Sequence, residues 1–157
     1  MAVFTVAATT TITARPEQVW AVLDDFSGWP TWMPSMQNLR VELLSPGAPC
    51  LGYRFRLRGV LAYADLEVTN YTSLERATRF QLNLPPLKGS NSCLIEPLDD
   101  GHSRVERVDH LDLPGPLAFL IDVTQRQYFE RLAAEFLEAL KRAVEQNANH
   151  VDTRTAQ

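Results

Sequence analysis

The stretch RVERVDHLDL, Arg104 to Leu113, holds the residues of this 157-residue chain best suited to chemistry. Alternation along an extended segment puts Val105, Arg107, Asp109 and Leu111 on one face and Glu106, Val108, His110 and Asp112 on the other. Each face carries a carboxylate, so hydrophobicity alone does not decide which one turns inward. The Val105 face is the better candidate, because Leu111 and Leu113 extend its apolar character. Arg107 and Asp109 would then be charged groups in an apolar surround, able to pair or to orient a ligand hydroxyl or carbonyl. A carboxylate held this way can also move a proton, which makes Asp109 and Arg107 the candidate catalytic pair. The plainer alternative is a solvated ion pair of little energetic weight.

Other chemistries find no support. His102 lies beside a turn and His150 near the C-terminus, and no second His or Cys stands at ligand spacing from His110, so no metal is expected. Cys50 and Cys93 lack CxxC spacing and read as reduced packing thiols. Gly47, Gly52 and Gly59 are turn glycines with no helix after them, which argues against a phosphate loop and a nucleotide cofactor. There is no nucleophile elbow. A net charge of −4 argues against nucleic acid as a partner. No apolar run approaches the roughly 18 residues of a membrane span. MAVFTVAATTTITARP has no basic leader ahead of its apolar residues, so the default location is the cytoplasm.

The elements that must position Arg107 and Asp109 follow from periodicity. Phe4 to Thr13 alternates as a strand. Pro16 opens a helix carrying Val19, Trp20, Val22 and Leu23, which stops by Ser27-Gly28. Strands are then expected over Leu39–Leu44, Tyr53–Gly59, Leu61–Tyr71, Ala77–Leu84, Ser92–Leu98 and His102–Leu113, with Pro85-Pro86 to Gly89 as a break. Short turns between them imply an antiparallel sheet. In Tyr53–Gly59, Tyr53, Phe55 and Leu57 face inward, and Arg54, Arg56 and Arg58 form a solvated outer stripe. In the next strand Ala64, Leu66 and Val68 face inward, because the opposite register would bury Asp65 and Glu67. A helix from Pro116 to Gln146, roughly 45 Å long, carries the stripe Leu117, Leu120, Ile121, Thr124, Tyr128, Leu132, Phe136, Leu140 and Val144. Its partner should be the concave face of the sheet. The fold class is therefore α+β, with residues 1–146 as one domain and residues 147–157 as a disordered tail.

The order of these elements resembles the helix-grip fold of the START-like, Bet v 1-like superfamily. Ala14-Arg15-Pro16-Glu17-Gln18-Val19-Trp20 followed by Trp29-Pro30-Thr31-Trp32-Met33-Pro34 is similar to the opening signature of its polyketide cyclase/dehydrase-type branch. So are Pro46-Gly47 before Gly52, and Gly101 before Arg104-Val105. The resemblance implies a seven-stranded curved sheet around the long helix, with two short helices between the first strands. It places Phe26 to Met36 in the second short helix and the turn into the next strand, where Trp29, Trp32, Met33 and Met36 would plug one end of the grip or line a cavity. The remaining expected lining is Tyr53, Phe55, Leu57, Ala64, Leu66, Val68 and Leu111 from the sheet, with Leu117, Leu120, Ile121, Thr124 and Tyr128 from the helix. Arg58–Val60, Leu84–Ser90 and Leu113–Leu117 should cluster as a mouth, with LNLPPLKGSN as its lid.

The function expected first is binding of a hydrophobic small molecule, a lipid, isoprenoid or aromatic polyketide-like compound, without metal or nucleotide. The alternatives are an aromatase/cyclase-type enzyme and an interaction or stress-response domain without a ligand. Oligomeric state stays open between monomer and homodimer.

Overall fold

Alternating apolar and polar residues build the sheet, and the computed structural model, which describes residues 2–155, shows seven strands in one antiparallel layer. They are β1 (Ala2–Ile12), β2 (Arg40–Leu43), β3 (Arg54–Arg58), β4 (Tyr63–Tyr71), β5 (Glu75–Asn83), β6 (Pro86–Pro97) and β7 (Ser103–Leu113). Their spatial order is β1-β7-β6-β5-β4-β3-β2, a meander closed by the first strand lying beside the last. Between β1 and β2 come α1 (Pro16–Asp24), a 3₁₀ turn (Phe26–Gly28) and α2 (Trp29–Trp32). The long helix α3 (Gly115–Thr155) closes the chain. The expected α+β helix-grip architecture is the one found.

Local chemistry explains the elements that carry the core. Pro16 begins α1, where a missing N–H costs nothing, and the Arg15 N–H donates to Gln18 Oε1 at 2.9 Å. Val19, Trp20, Val22 and Leu23 face inward from α1. The Trp29 ring packs edge-on to Phe26 and Phe55, and its Nε1–H donates to the Leu23 carbonyl at 3.0 Å, so its one polar atom is satisfied inside the core. On the outer face of the sheet Arg56 pairs with Asp65, Arg58 with Glu42 and Arg79 with Glu67, which keeps the arginine stripe in solvent as the alternation required.

Two expectations need correction. The stretch from Pro85 to Gly89 is not a break: β6 starts at Pro86, and Leu84 and Pro85 alone turn the chain between β5 and β6. A proline suits the first position of a strand, and Gly89 is a strand glycine where another chain comes close. A Cβ there would meet the His110 carbonyl oxygen, and Phe80 Cζ at 2.6 Å. LNLPPLKGSN is therefore sheet, not a lid.

The second correction concerns α3. It runs on to Thr155, past Gln146, where the sequence reading ends it and starts the tail; Ala156 and Gln157 lie outside the described residues. Its buried face also differs in the first half. Ala118, Ala133, Phe136, Leu137, Leu140 and Val144 are buried, whereas Leu117, Leu120 and Tyr128 are 42%, 56% and 52% exposed. The contact face is rotated by one residue, about 100°. Small Ala118 and Ala133 let the backbone approach the sheet, chiefly β1 and β7, while the larger leucines stay outside.

Candidate functional site

Between the middle of the sheet, the α1–α2 segment and the second half of α3 lies a cavity of about 320 Å³. Leu57 of β3, Ala64, Leu66 and Val68 of β4 and Phe80 and Leu82 of β5 form its apolar floor. Trp29, Met33 and Met36 cover one end, and Phe136 comes from α3. The small inward side chain at Ala64 leaves room that Leu or Phe would fill, as the register argument anticipated.

The expected lining residues divide into three groups. Trp29, Met33, Met36, Leu57, Ala64, Leu66 and Val68 are on the cavity wall. Tyr53 and Phe55 are packed into the core beside it, with Phe55 fully buried and stacked on Phe26, while Trp32 is half-buried against the core and tilted against Phe136. Leu111 lines a smaller neighbouring cavity of about 210 Å³. Leu117, Leu120, Ile121, Thr124 and Tyr128 line neither cavity, a consequence of the rotated helix face. Ile121 is half-buried in a small cluster around Phe4, Val6, Leu113 and Ala118, and the Thr124 hydroxyl donates back to the Leu120 carbonyl at 2.7 Å. The expected mouth residues Val60 and Leu84 are exposed at the strand ends and also stay off the cavity wall.

The Val105 face of β7 is the inward one. Arg107 lines both cavities and Asp109 the smaller. The Arg107 Nε–H donates to Asp109 Oδ2 at 2.9 Å and Oδ1 at 3.1 Å, and its guanidinium carbon lies 3.8 Å from the centroid of the Phe136 ring. The two terminal nitrogens of Arg107 have no hydrogen-bond partner among the described residues. Beside Arg107, Asn91 accepts the Thr78 hydroxyl at 2.6 Å, leaving the amide nitrogen of Asn91 for another partner. Both Thr78 and Asn91 line the main cavity.

A second polar cluster on the cavity wall was not anticipated. Asp24, at the end of α1, accepts from Arg76 Nε at 3.0 Å and Nη2 at 3.2 Å, and from the Tyr71 hydroxyl at 2.9 Å. Arg76 Nη1 donates to the Thr72 carbonyl, and the guanidinium also stacks over Tyr71 and Trp20. Burial, reinforced by the hydrogen bond to Asp24, raises the Tyr71 pKa. The signal that could have found this cluster is the inward phase of β5: Arg76 sits two residues before Thr78 on the face that carries Phe80.

Cys93 is buried between the two arginines, paired with Arg76 on β5 and with Arg107 on β7. Burial pushes its thiol up to about 11 against the opposing pull of Arg107. It is a poor nucleophile there. Among the described residues no group of three His, Cys, Asp or Glu side chains could hold a metal ion, and no helix is long and apolar enough to cross a membrane.

Residues 3–145 match the family model described as polyketide cyclase / dehydrase and lipid transport. Solved structures share the fold at low identity. An aromatase/cyclase from a Streptomyces species is 18% identical, with a TM-score of 0.67 over 94% of this chain and 96% of that one. A START superfamily protein from Mycobacterium smegmatis is 21% identical, with a TM-score of 0.64 over 90% and 97%. A norcoclaurine synthase point mutant from Thalictrum flavum is 9% identical, with a TM-score of 0.67 over 94% and 97%. The chain spans about half, 48%, of the length of a putative protein from the dynemicin biosynthetic locus, which it matches with a TM-score of 0.66. No curated protein sequence matches it.

Proposed function

The chain belongs to the polyketide cyclase/dehydrase and lipid transport family, and from that membership and the cavity we propose that it binds an electrically neutral, hydrophobic small molecule. One observation carries the reading: an apolar cavity of about 320 Å³ whose wall presents a guanidinium with two nitrogens to spare. Ligand sites are mostly apolar hollows of a few hundred Å³ with a few converging polar groups. The apolar wall supplies affinity through burial, and the spare donors of Arg107 and Asn91 orient a carbonyl or hydroxyl oxygen. Neutrality follows from the charges. Arg76 is matched by Asp24 and Arg107 by Asp109, so a bound carboxylate would bring an uncompensated negative charge into the apolar cavity beside Asp24 or Asp109. A small isoprenoid, a lipid alcohol or ketone, or an aromatic polyketide-like compound fits this description.

The reading is tested by native mass spectrometry of protein purified from cells, followed by denaturing extraction. A stoichiometric adduct that is neutral and lipophilic supports it. An empty protein that shows no thermal shift across a panel of neutral lipids and aromatic ketones counts against it.

A second reading, ring closure on a carbonyl-bearing chain, draws on the Arg107–Asp109 pair. Arg107 would polarise a carbonyl, and Asp109 would hold its guanidinium in place or take a proton. Turnover of a poly-β-ketone surrogate by the wild type, lost in Asp109→Asn with binding retained, would separate this reading from simple binding.

A further inference from the structure

Phe80, Asn91 and Arg107 stand on a diagonal across β5, β6 and β7, and each lines both cavities. The strand register shows why. Arg76, Cys93 and Arg107 form one row across the three strands, Thr78, Asn91 and Asp109 the next, and Phe80, Gly89 and Leu111 the third. One residue from each row makes a ridge. The main cavity lies on one side of it, and the smaller, about 210 Å³, lies on the other.

The smaller chamber is apolar at its ends, with Phe4, Val6 and Leu111 from the sheet and Phe129, Leu132 and Ala133 from α3. It falls between two apolar clusters, the large one that includes Leu137 and Leu140 and the small one built on Phe4 and Val6. The two chambers share Phe80, Asn91 and Arg107 and no other residue. The ridge also carries two polar groups with no hydrogen-bond partner among the described residues, the terminal nitrogens of Arg107 and the amide nitrogen of Asn91. All are donors. Their natural complement is an acceptor oxygen lying over the ridge, with apolar groups leaving it in both directions.

Resting on the ligand-binding reading above, we propose that the two chambers form one site for a neutral molecule with a carbonyl oxygen flanked by two apolar arms. The oxygen takes the Arg107 and Asn91 donors, one arm fills the main cavity, and the other enters the chamber under α3. The second arm would then pack on Phe129, which already meets Phe4 of β1 edge-on, and on exposed Leu132.

Two isomeric ketones test this by calorimetry on delipidated protein: dipentyl ketone, with its carbonyl central, and methyl nonyl ketone, with its carbonyl at one end. The two hold the same atoms and differ only in where the oxygen sits. Dipentyl ketone is expected to bind at least tenfold more tightly, since a pentyl arm moved into an apolar chamber gains several methylene burials. Leu111→Trp, which fills the second chamber, is expected to abolish that preference while leaving methyl nonyl ketone unchanged. Leu132→Trp, at a position 38% exposed, repeats the test should the first variant fold poorly. Hydrogen exchange should slow at residues 129–133 with dipentyl ketone only. Equal affinity of the isomers, or a loss shared by both ketones in the filled variants, overturns the two-chamber site and leaves the main cavity as a binding site. No binding of either ketone to the wild type overturns both readings.

Discussion

The Arg107 guanidinium is held on two sides, by Asp109 through Nε at 2.9 Å and by the face of Phe136 at 3.8 Å, and its terminal nitrogens are left over. The pair is only 18% and 23% exposed, so removing one partner strands the other. Arg107→Leu is expected to cost about 2–3 kcal/mol in urea unfolding, because Asp109 loses its counter-charge. The double variant Arg107→Leu/Asp109→Leu should recover most of that loss. Neither should retain the ligand. A double variant as unstable as the single one would show that the pair is not a self-contained unit.

Gly89 faces Phe80 across β5 and β6 and has the His110 carbonyl close on its other side. A methyl at this position would meet Phe80 Cζ at 2.6 Å and Cε1 at 2.9 Å, and the carbonyl cannot swing away without breaking the β6–β7 ladder. Gly89→Ala is expected to destabilise by about 2–4 kcal/mol. Phe80→Ala in the same chain should restore part of this and join the two cavities. Urea unfolding of the two variants gives the answer. A Gly89→Ala protein of wild-type stability would mean that Phe80 and β7 yield freely.

Legibility differed from element to element. The sheet was readable because Arg54, Arg56 and Arg58 alternate with apolar residues, and because the wrong register of β4 would have buried Asp65 and Glu67. The inward face of β7 was favoured through Leu111 and Leu113 but not decided, because each of its faces carries a carboxylate. Periodicity misled in α3. Leu117, Leu120 and Tyr128 outweigh Ala118 and Ala133 in any hydrophobic count, yet close helix–sheet contact selects the small residues. The Asp24 cluster was hidden because its members come from α1, β4 and β5, and the sequence does not show which side chains a fold brings together. The β5–β6 turn was mistaken for a lid because two prolines and a glycine look alike in a loop and at the start of a tightly packed strand.

The Asp24–Arg76–Tyr71 cluster has its polar groups satisfied internally and is expected to be structural. Asp24 accepts three hydrogen bonds while only 20% exposed. Asp24→Asn should therefore cost about 2–4 kcal/mol, and Tyr71→Phe about 1 kcal/mol, by denaturant unfolding. Ligand affinity, measured on folded protein, should change little in Tyr71→Phe. A large affinity loss there with unchanged stability would move Tyr71 into the recognition set beside Arg107.

Cys93 is expected to set the alkaline limit of stability. Its folded-state pKa of about 11 lies above the ordinary 9.0, so the native chain holds a proton that the unfolded chain gives up. The contribution is fully present below pH 9 and is lost as pH rises through about 11. The loss should amount to roughly 2–3 kcal/mol. Tyr71, also raised, adds to the fall above pH 10. In Cys93→Ala the decline between pH 9 and 10 should flatten, whereas Tyr71→Phe should keep that part of the curve. The same burial governs reactivity. At pH 8 a thiol reagent should modify exposed Cys50 at once and Cys93 only on unfolding. Two equally fast thiols in the native protein would show that the cavity wall opens at Cys93 far more readily than its burial implies.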